Sequence, residues 1–320
     1  MTSVWHAFVA VICSVLPAVP EVNRRSVALF ERMTPFLFIL PALVLYLGVV
    51  LLPSVGTTFC SFCEIRAGLG WRWIGLRNYS DVFAHDDIFM RALLNNFLYL
   101  LATLVVEVLF GLVMALILNQ KRPGFHVFRI LFFTPMMLSL VVVGLIWKFV
   151  YHPSYGILNQ SLKGVGLDAL ALPWLADPRT ALGAVCIVSG WIYAGFYMVL
   201  FYAGLQRIPA SLLEGARIDG ASEIQCVRHI SIPLLREVIV VCLLICATGA
   251  FKAFDLFYVM TPDGGPDHAS EVVATWLVRE SFDNNHLGYG SALAVIMTVL
   301  VFLLTLIYQL FQRRREALEF

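Results

Sequence analysis

The residue types that ordinarily carry chemistry are present, but their spacing does not suit catalysis. Seven cysteines are scattered over 320 residues, and Cys60 with Cys63 forms the only C-x-x-C pair. Such a pair exchanges disulfides when it sits between a strand and a helix. Here it ends an apolar run, so it reads as two small residues on one helical face. The seven histidines include no pair at zinc-ligand spacing, and neither H-E-x-x-H nor G-x-S-x-G occurs. There is no G-x-x-x-x-G-K-[ST] loop, so any nucleotide energy must be supplied by another chain. What remains is a few ionisable groups inside apolar runs, Glu107, Lys252 and Asp255. Such groups are costly in lipid and face a pathway or a partner. The three-residue spacing of Lys252 and Asp255 predicts an ion pair on one helical face. Glu107 has no local partner and is expected at an interface with another subunit's helix.

The elements that must hold these groups follow from composition. Hydrophobic residues make up 60% of the chain and charged ones 13%, and the mean hydropathy is +0.84. That excludes a cytosolic enzyme. With Lys+Arg 22 against Asp+Glu 21 there is no basic excess for nucleic acid and no acidic excess for disorder. Long uncharged runs place six spans at about 35–63, 92–119, 130–149, 180–206, 233–261 and 287–312. The fold class is therefore an all-α, polytopic membrane protein with six transmembrane helices over residues 33–320. Residues 1–32 form an N-terminal extension, cytoplasmic or interfacial. Its apolar run at 4–19 is short and prolines end it, so it reads as an interfacial segment or an upstream start, with an extra span as the alternative.

Basic residues set the orientation. Arg24, Arg25, Arg32, Lys121, Arg122, Arg129, Arg207, Arg217, Arg228, Arg236, Arg313, Arg314 and Arg315 fall on one side, thirteen in all. The other side has six, Arg66, Arg72, Arg77, Lys163, Arg179 and Arg279. Both termini are expected in the cytoplasm. The last outer loop reads as acidic, with Asp263, Asp267, Glu271, Glu280 and Asp283.

The loop between spans four and five is the most informative segment. Pro209 suits the first turn of a helix, Leu212, Leu213 and Ala216 give it an apolar face, and Gly220 supplies a left-handed end. Ser222 with Gln225 makes a capping box for a second helix, which Pro233 is expected to close as it opens span five. A polar helical pair between two spans reads as a docking platform, with a loop lying on the lipid headgroups as the alternative.

These residues carry a resemblance. Glu214, Gly215 and Ala216, followed by Gly220, Ile230, Ile232 and Pro233, resemble the E-A-A-x3-G-x9-I-x-L-P signature of permease subunits of bacterial ABC importers. Gly215 replaces an Ala and Ile232 a Leu. F-I-L-P-A-L at 38–43, F-R-I-L-F-F-T-P at 128–135 and F-D-L-F-Y-V-M-T-P-D-G-G-P at 254–266 are similar to permeases of the maltose and glycerol-3-phosphate type. The short outer loop after span one makes the chain resemble the first of two paired permeases. The resemblance implies a type I importer permease fold with a cytoplasmic two-helix coupling loop seated in an ATPase. Glu214, Gly215, Ala216, Asp219, Gly220, Ile230 and Pro233 would form that loop. In it Glu214 would pair with the ATPase, Gly220 make the turn and Ala216 pack closely.

The implied partners are a second permease subunit in a heterodimer, two copies of a cytoplasmic ABC ATPase, an extracellular solute-binding protein and membrane lipid. The chain would hold no cofactor of its own, ATP being bound by the ATPase, and would do no covalent chemistry. It would lie in a bacterial cytoplasmic membrane as a multi-pass protein and move a sugar or a glycerol-3-phosphate-like solute by alternating access. Choosing residues of hydroxyl, amide or aromatic character on spans three to six suggests a substrate path through Ser139, Trp191, Tyr193, Tyr197, Asp255 and Tyr258. A secondary transporter or channel is the alternative. It predicts inverted repeats with broken helices at matched positions, and the sequence shows none.

Overall fold

The structure, a computed structural model, describes residues 24–66, 70–119 and 124–316. The run at 4–19, most of the expected extension, and the basic pair Lys121 and Arg122 lie outside the described residues. The chain divides into two units, Met1–Gly56 and Thr57–Phe320.

The first unit is helical from Arg24 onward. Its apolar part belongs to α1, Thr34–Cys60, 27 residues that bury essentially none of their apolar side chains within this chain and whose last residues enter the second unit. A helix apolar all round and left exposed among the described residues is suited to lipid or a partner helix. The turn Leu47–Leu51 is widened, the Leu52 N–H reaching the Leu47 carbonyl. Pro53 follows two residues later. Its ring cannot pass a normal helical carbonyl, and the wide turn relieves that clash.

The second unit opens with a hairpin, β1 Cys63–Arg66 and β2 Gly70–Trp73, paired antiparallel with Cys63 opposite Trp73. It is a small addition to the all-α expectation. Cys63 begins a strand, so it shares no helical face with Cys60, and both thiols are free. Helix α2, Arg77–Ala84, is tied to the hairpin by the Asn78 amide, which donates to the carbonyls of Ser61 (2.8 Å) and Cys63 (3.0 Å).

Then follow α3 Asp87–Leu118, α4 Phe125–Met137, α5 Leu140–Val150, α6 Ile157–Gly164, α7 Ala181–Leu205, α8 Ala210–Ile218, α9 Glu223–Leu234, α10 Arg236–Phe251, α11 Asp255–Met260, α12 Val273–Val278 and α13 Leu287–Glu316. Among the described residues four helices, α1, α3, α7 and α13, are long and apolar enough to cross a membrane unbroken. The bent pairs α4–α5 (100°) and α9–α10 (68°) bring the number to six if each makes one crossing.

The breaks correct the expectation of continuous spans. Span three stops at a tight turn, Thr134–Met137, that contains Pro135, and Leu138 and Ser139 are extended before α5 restarts. Proline cannot donate to the helical ladder, and two extended residues complete the corner. Span five ends at Phe251. Lys252 caps α10, Phe254 is non-helical, and Asp255 sits in the first turn of α11, where an acid suits the helix dipole. Lys252 and Asp255 therefore do not share a continuous helical face, and no ion pair joins them among the described residues.

Helix α7 lies at the centre, with 15 of its 25 residues buried. In a bilayer, helices gain by close packing, which small residues permit. A Cβ on Gly111 of α3 would come within 2.8 Å of the Tyr197 Cβ, and one on Gly195 would strike the Phe132 carbonyl of α4. At one end Asp86 gathers three helices. It caps α3 by accepting from the Phe89 N–H (2.7 Å), and takes further hydrogen bonds from Trp276 Nε1 on α12 (2.8 Å) and the Tyr289 hydroxyl on α13. Around it Val82, Phe89, Val273 and Leu293 form a core. At the other end of α3, Asn119 accepts from Gln206 just after α7 (2.7 Å), which places the 206–235 loop there.

Candidate functional site

The loop folds as its local signals dictate. Pro209 stands just before α8 as its cap. Asp219 ends α8, and Gly220 follows at φ +85°. The Ala221 N–H returns to the Ala216 carbonyl (2.9 Å) and the Gly220 N–H to that of Arg217 (3.1 Å), the paired bonds of a left-handed helix end. The capping box is present, Gln225 N–H bonding Ser222 Oγ (3.4 Å) and Ser222 N–H bonding Gln225 Oε1 (2.7 Å). Across this turn Arg217 donates from Nε and Nη2 to the two oxygens of Glu223, at 2.7 and 3.1 Å. Those bonds hold the Glu223 carboxyl below the ordinary carboxylate range.

Pro233 does not close the second helix, which runs on to Leu234. The turn Val227–Ser231 widens ahead of the proline, Ile232 N–H bonding the Val227 carbonyl, and the bend falls at buried Leu235. Glu214, Asp219, Gly220 and Pro233 are exposed, while Gly215, Ala216 and Ile230 are half-buried. The motif divides between two grooves. Ala216, Asp219, Gly220 and Ile230 line a depression of about 430 Å³ with His229. Glu214 lines another of about 880 Å³ with Arg207, Arg217 and Glu223. Sequence reasoning passed over Ile218 and Ile224, one on each helix, which are 86% and 79% exposed. Apolar residues this exposed on a polar loop suit a surface that a partner covers.

A second feature lies within the helices. The breaks in spans three and five open on one cavity of about 300 Å³, with Met136 and Leu140 from the first and Lys252 to Asp255 from the second in its wall. Tyr99, Thr103 and Glu107 of α3 and Tyr193, Phe196 and Tyr197 of α7 complete the polar and aromatic lining. Glu107 belongs to a widened turn, Leu104–Leu109, and is 4% exposed. It takes a hydrogen bond from the Ser189 hydroxyl at 2.6 Å, and Ser189 lies 2.7 Å from the Tyr99 hydroxyl. The single serine proton goes to Glu107, so Tyr99 donates to Ser189. Glu107 thus finds its partner inside this chain, which corrects its expected place against another subunit's helix. Local sequence could not show this, because Ser189 is 82 residues away.

Of the predicted path, the cavity gathers Tyr193, Tyr197 and Asp255. Ser139, Trp191 and Tyr258 do not line it. Ser139 is exposed at the corner before α5, Trp191 packs on Trp147 (5.7 Å between centroids) and Tyr258 stacks on Phe254 (5.0 Å). One sequence signal could have found the α3 wall. Asn96, Tyr99, Thr103 and Glu107 recur every three or four residues along span two, a polar stripe on one helical face, and all are buried. Asn96 at its head donates to the Ala250 carbonyl (2.9 Å) and accepts from the Val273 N–H (2.9 Å), satisfying the open ends of α10 and α12.

The outer loop is less openly acidic than its composition suggests. Glu271 is fully buried and accepts from Thr275 Oγ1 (2.5 Å), Arg279 Nη1 (2.9 Å) and His268 Nδ1 (2.9 Å). Glu280 is also buried, held by Asn284 (2.7 Å) and His286 (2.9 Å). Asp263 and Asp267 stay exposed, on left-handed backbone at φ +58° and +52°.

Comparison with known proteins adds a family. Residues 107–317 match the model for the binding-protein-dependent transport system inner membrane component. The probable ABC transporter permease protein YurN of Bacillus subtilis is 38% identical over 284 residues, 88% of this chain and 96% of that protein. The trehalose/maltose transport system permease protein MalF of Thermococcus litoralis is 32% identical, over 87% of this chain and 93% of that one. Among solved structures, a chain of a bacterial alginate ABC transporter in complex with an alginate pentasaccharide-bound periplasmic protein superposes with a TM-score of 0.80 at 20% identity, covering 89% of this chain and 96% of that chain. With two bent helices around a central one, a capped two-helix loop at one end and these relatives along nearly its whole length, the chain belongs to the inner membrane components of binding-protein-dependent transport systems, the permease subunits of ABC importers.

Proposed function

We propose that this permease carries a sugar across the bacterial cytoplasmic membrane by alternating access. The observation that carries the reading is the cavity at the breaks of spans three and five, where tyrosines meet acidic groups. Aromatic rings offer flat apolar faces to sugar C–H groups, and acids and hydroxyls bind sugar hydroxyls. The Thermococcus relative, named for trehalose and maltose transport, supports the same solute class.

The chain works beside a second permease, and ATP is bound and hydrolysed by two copies of a separate cytoplasmic ATPase, since no phosphate-binding loop is present here. The 206–235 loop meets that ATPase, with Glu214 as the paired acid and Ile218 and Ile224 as apolar contacts. A solute-binding protein delivers the sugar from outside, a role supported by the periplasmic protein that the alginate transporter holds in its complex. ATP binding moves the loop. Because α9 continues through the 68° bend into α10, that movement reaches the wall of the cavity.

The test pairs transport with assembly. Glu214→Lys puts a positive charge where an acid faces the ATPase. The variant is expected to insert and to pair with the second permease, yet to lose both the co-purifying ATPase and ATP-driven uptake. Normal retention and uptake would remove the loop from coupling. Uptake by the isolated chain in liposomes on a pH or sodium gradient would end the ATP-driven reading.

A further inference from the structure

We propose that Glu107 is a solute-binding residue of the cavity, where it receives hydroxyl groups of the passing molecule, and that the cavity selects uncharged polyhydroxylated solutes over anionic ones. The proposal rests on the sugar reading above and narrows it.

Position is the first argument. Glu107 is almost wholly buried, yet it lines the cavity from a turn of α3 that is widened around it. Widened turns of this kind re-aim side chains and are frequent at functional sites.

The second argument concerns its two oxygens. Oε1 is fixed by the relay from Tyr99 through Ser189. Among the described residues no donor bonds Oε2, and Oε2 is not one of the buried polar atoms left without a partner, so it is open to the cavity. The relay therefore orients the carboxyl group and leaves one oxygen for a ligand's hydroxyl. Tyr193, Phe196, Tyr197 and Phe254 stand around the same space, so a ring with apolar faces and hydroxyl edges finds both kinds of contact there.

Charge supplies the third. Two acidic side chains, Glu107 and Asp255, line the cavity against one basic one, Lys252. No ion pair joins any two of the three among the described residues. An anionic sugar would bring a net charge into low-dielectric surroundings that offer a single basic side chain to meet it, which is costly. A neutral polyol meets both acceptors and hydroxyl or ammonium donors there and brings no charge of its own.

A purely structural role, locking α3 to α7, is separable from this one. Glu107→Gln keeps an acceptor for Ser189 but replaces one oxygen by an amide donor. Ser189→Ala cuts the lock and keeps the carboxyl group. The measurement is saturation-transfer NMR of maltose, raffinose and digalacturonate on the purified importer without its binding protein, so that selection reports this cavity. Uptake by the complete importer is followed alongside.

The wild type is expected to give signals with maltose or raffinose and none with digalacturonate. Glu107→Gln should weaken the neutral sugars roughly tenfold or more, as sites built for hydroxyls do when a partner group is altered. Ser189→Ala should weaken them less. Unchanged sugar binding in Glu107→Gln, with wild-type uptake intact, overturns the role of Glu107 and leaves the sugar reading standing. Equal signals from digalacturonate overturn the selection. A complete wild-type importer that takes up no carbohydrate of either kind overturns the sugar reading itself.

Discussion

Arg217 and Glu223 face each other across the turn at Gly220, two guanidinium nitrogens on two carboxylate oxygens at 2.7 and 3.1 Å. The first belongs to α8 and the second opens α9, so one bidentate pair sets the angle at which the loop presents both helices. Each is also well exposed, at 48% and 67% of the side chain. The pair therefore orients the loop more than it stabilises the protein.

From this follows a charge-reversal prediction. Arg217→Glu and Glu223→Arg should each weaken ATPase retention, and the two together should restore much of it. Co-purification of the ATPase with the three variants decides the matter, and a double variant no better than the singles would deny the pair its role.

The same pair has a pH signature. Arg217 lowers the Glu223 pKa in the folded loop, so the tie is fully present above the unfolded carboxylate value of about 4.3 and is lost as pH falls through the depressed folded value. ATPase retention that depends on this tie should be flat from about pH 8 to pH 5. A loss already at pH 6 that Glu223→Gln abolishes would contradict it.

The two glycines of the motif should respond oppositely to substitution. Gly220 has φ +85°, and Gly220→Val should cost about 1–2 kcal/mol of strain and misplace α9. Gly215 is helical, and a Cβ there meets nothing within 4 Å. Gly215→Ala should therefore transport normally, in keeping with the Ala of the related signature, whereas Gly220→Val should not. Transport rates of the two variants at matched expression are the measurement.

Packing inside the membrane gives a further expectation. A side chain on Gly195 would collide with the Phe132 backbone of α4, a partner that cannot rotate away. Gly195→Val should destabilise the subunit by about 1–3 kcal/mol, as overpacking does. A lowered melting temperature of the purified importer would show it, and a melting curve like that of the wild type would refute the close approach of α4 and α7.

Topology can be tested directly. Cysteine labels at Ser222 and Glu316 should be protected from an external reagent, and one at Asp267, exposed on its loop, should react. Labelling of Ser222 from outside would reverse the orientation drawn from the basic residues.

What the sequence determined by itself was whatever depends on near neighbours. Apolar runs long enough for lipid marked the spans, because the cost of a bare backbone in hydrocarbon leaves a helix as the local solution. The turn at Gly220 and the box of Ser222 with Gln225 were legible because their bonds close within a few residues. The tertiary structure decided where helices stop and what their buried polar groups meet. Asn96 meets the broken ends of α10 and α12 from 154 and 177 residues away, and Ser189 reaches Glu107 across 82. A break in a span is affordable only when a distant side chain satisfies the freed backbone groups. No local pattern can tell whether that side chain arrives, since its position depends on the packing of every helix between.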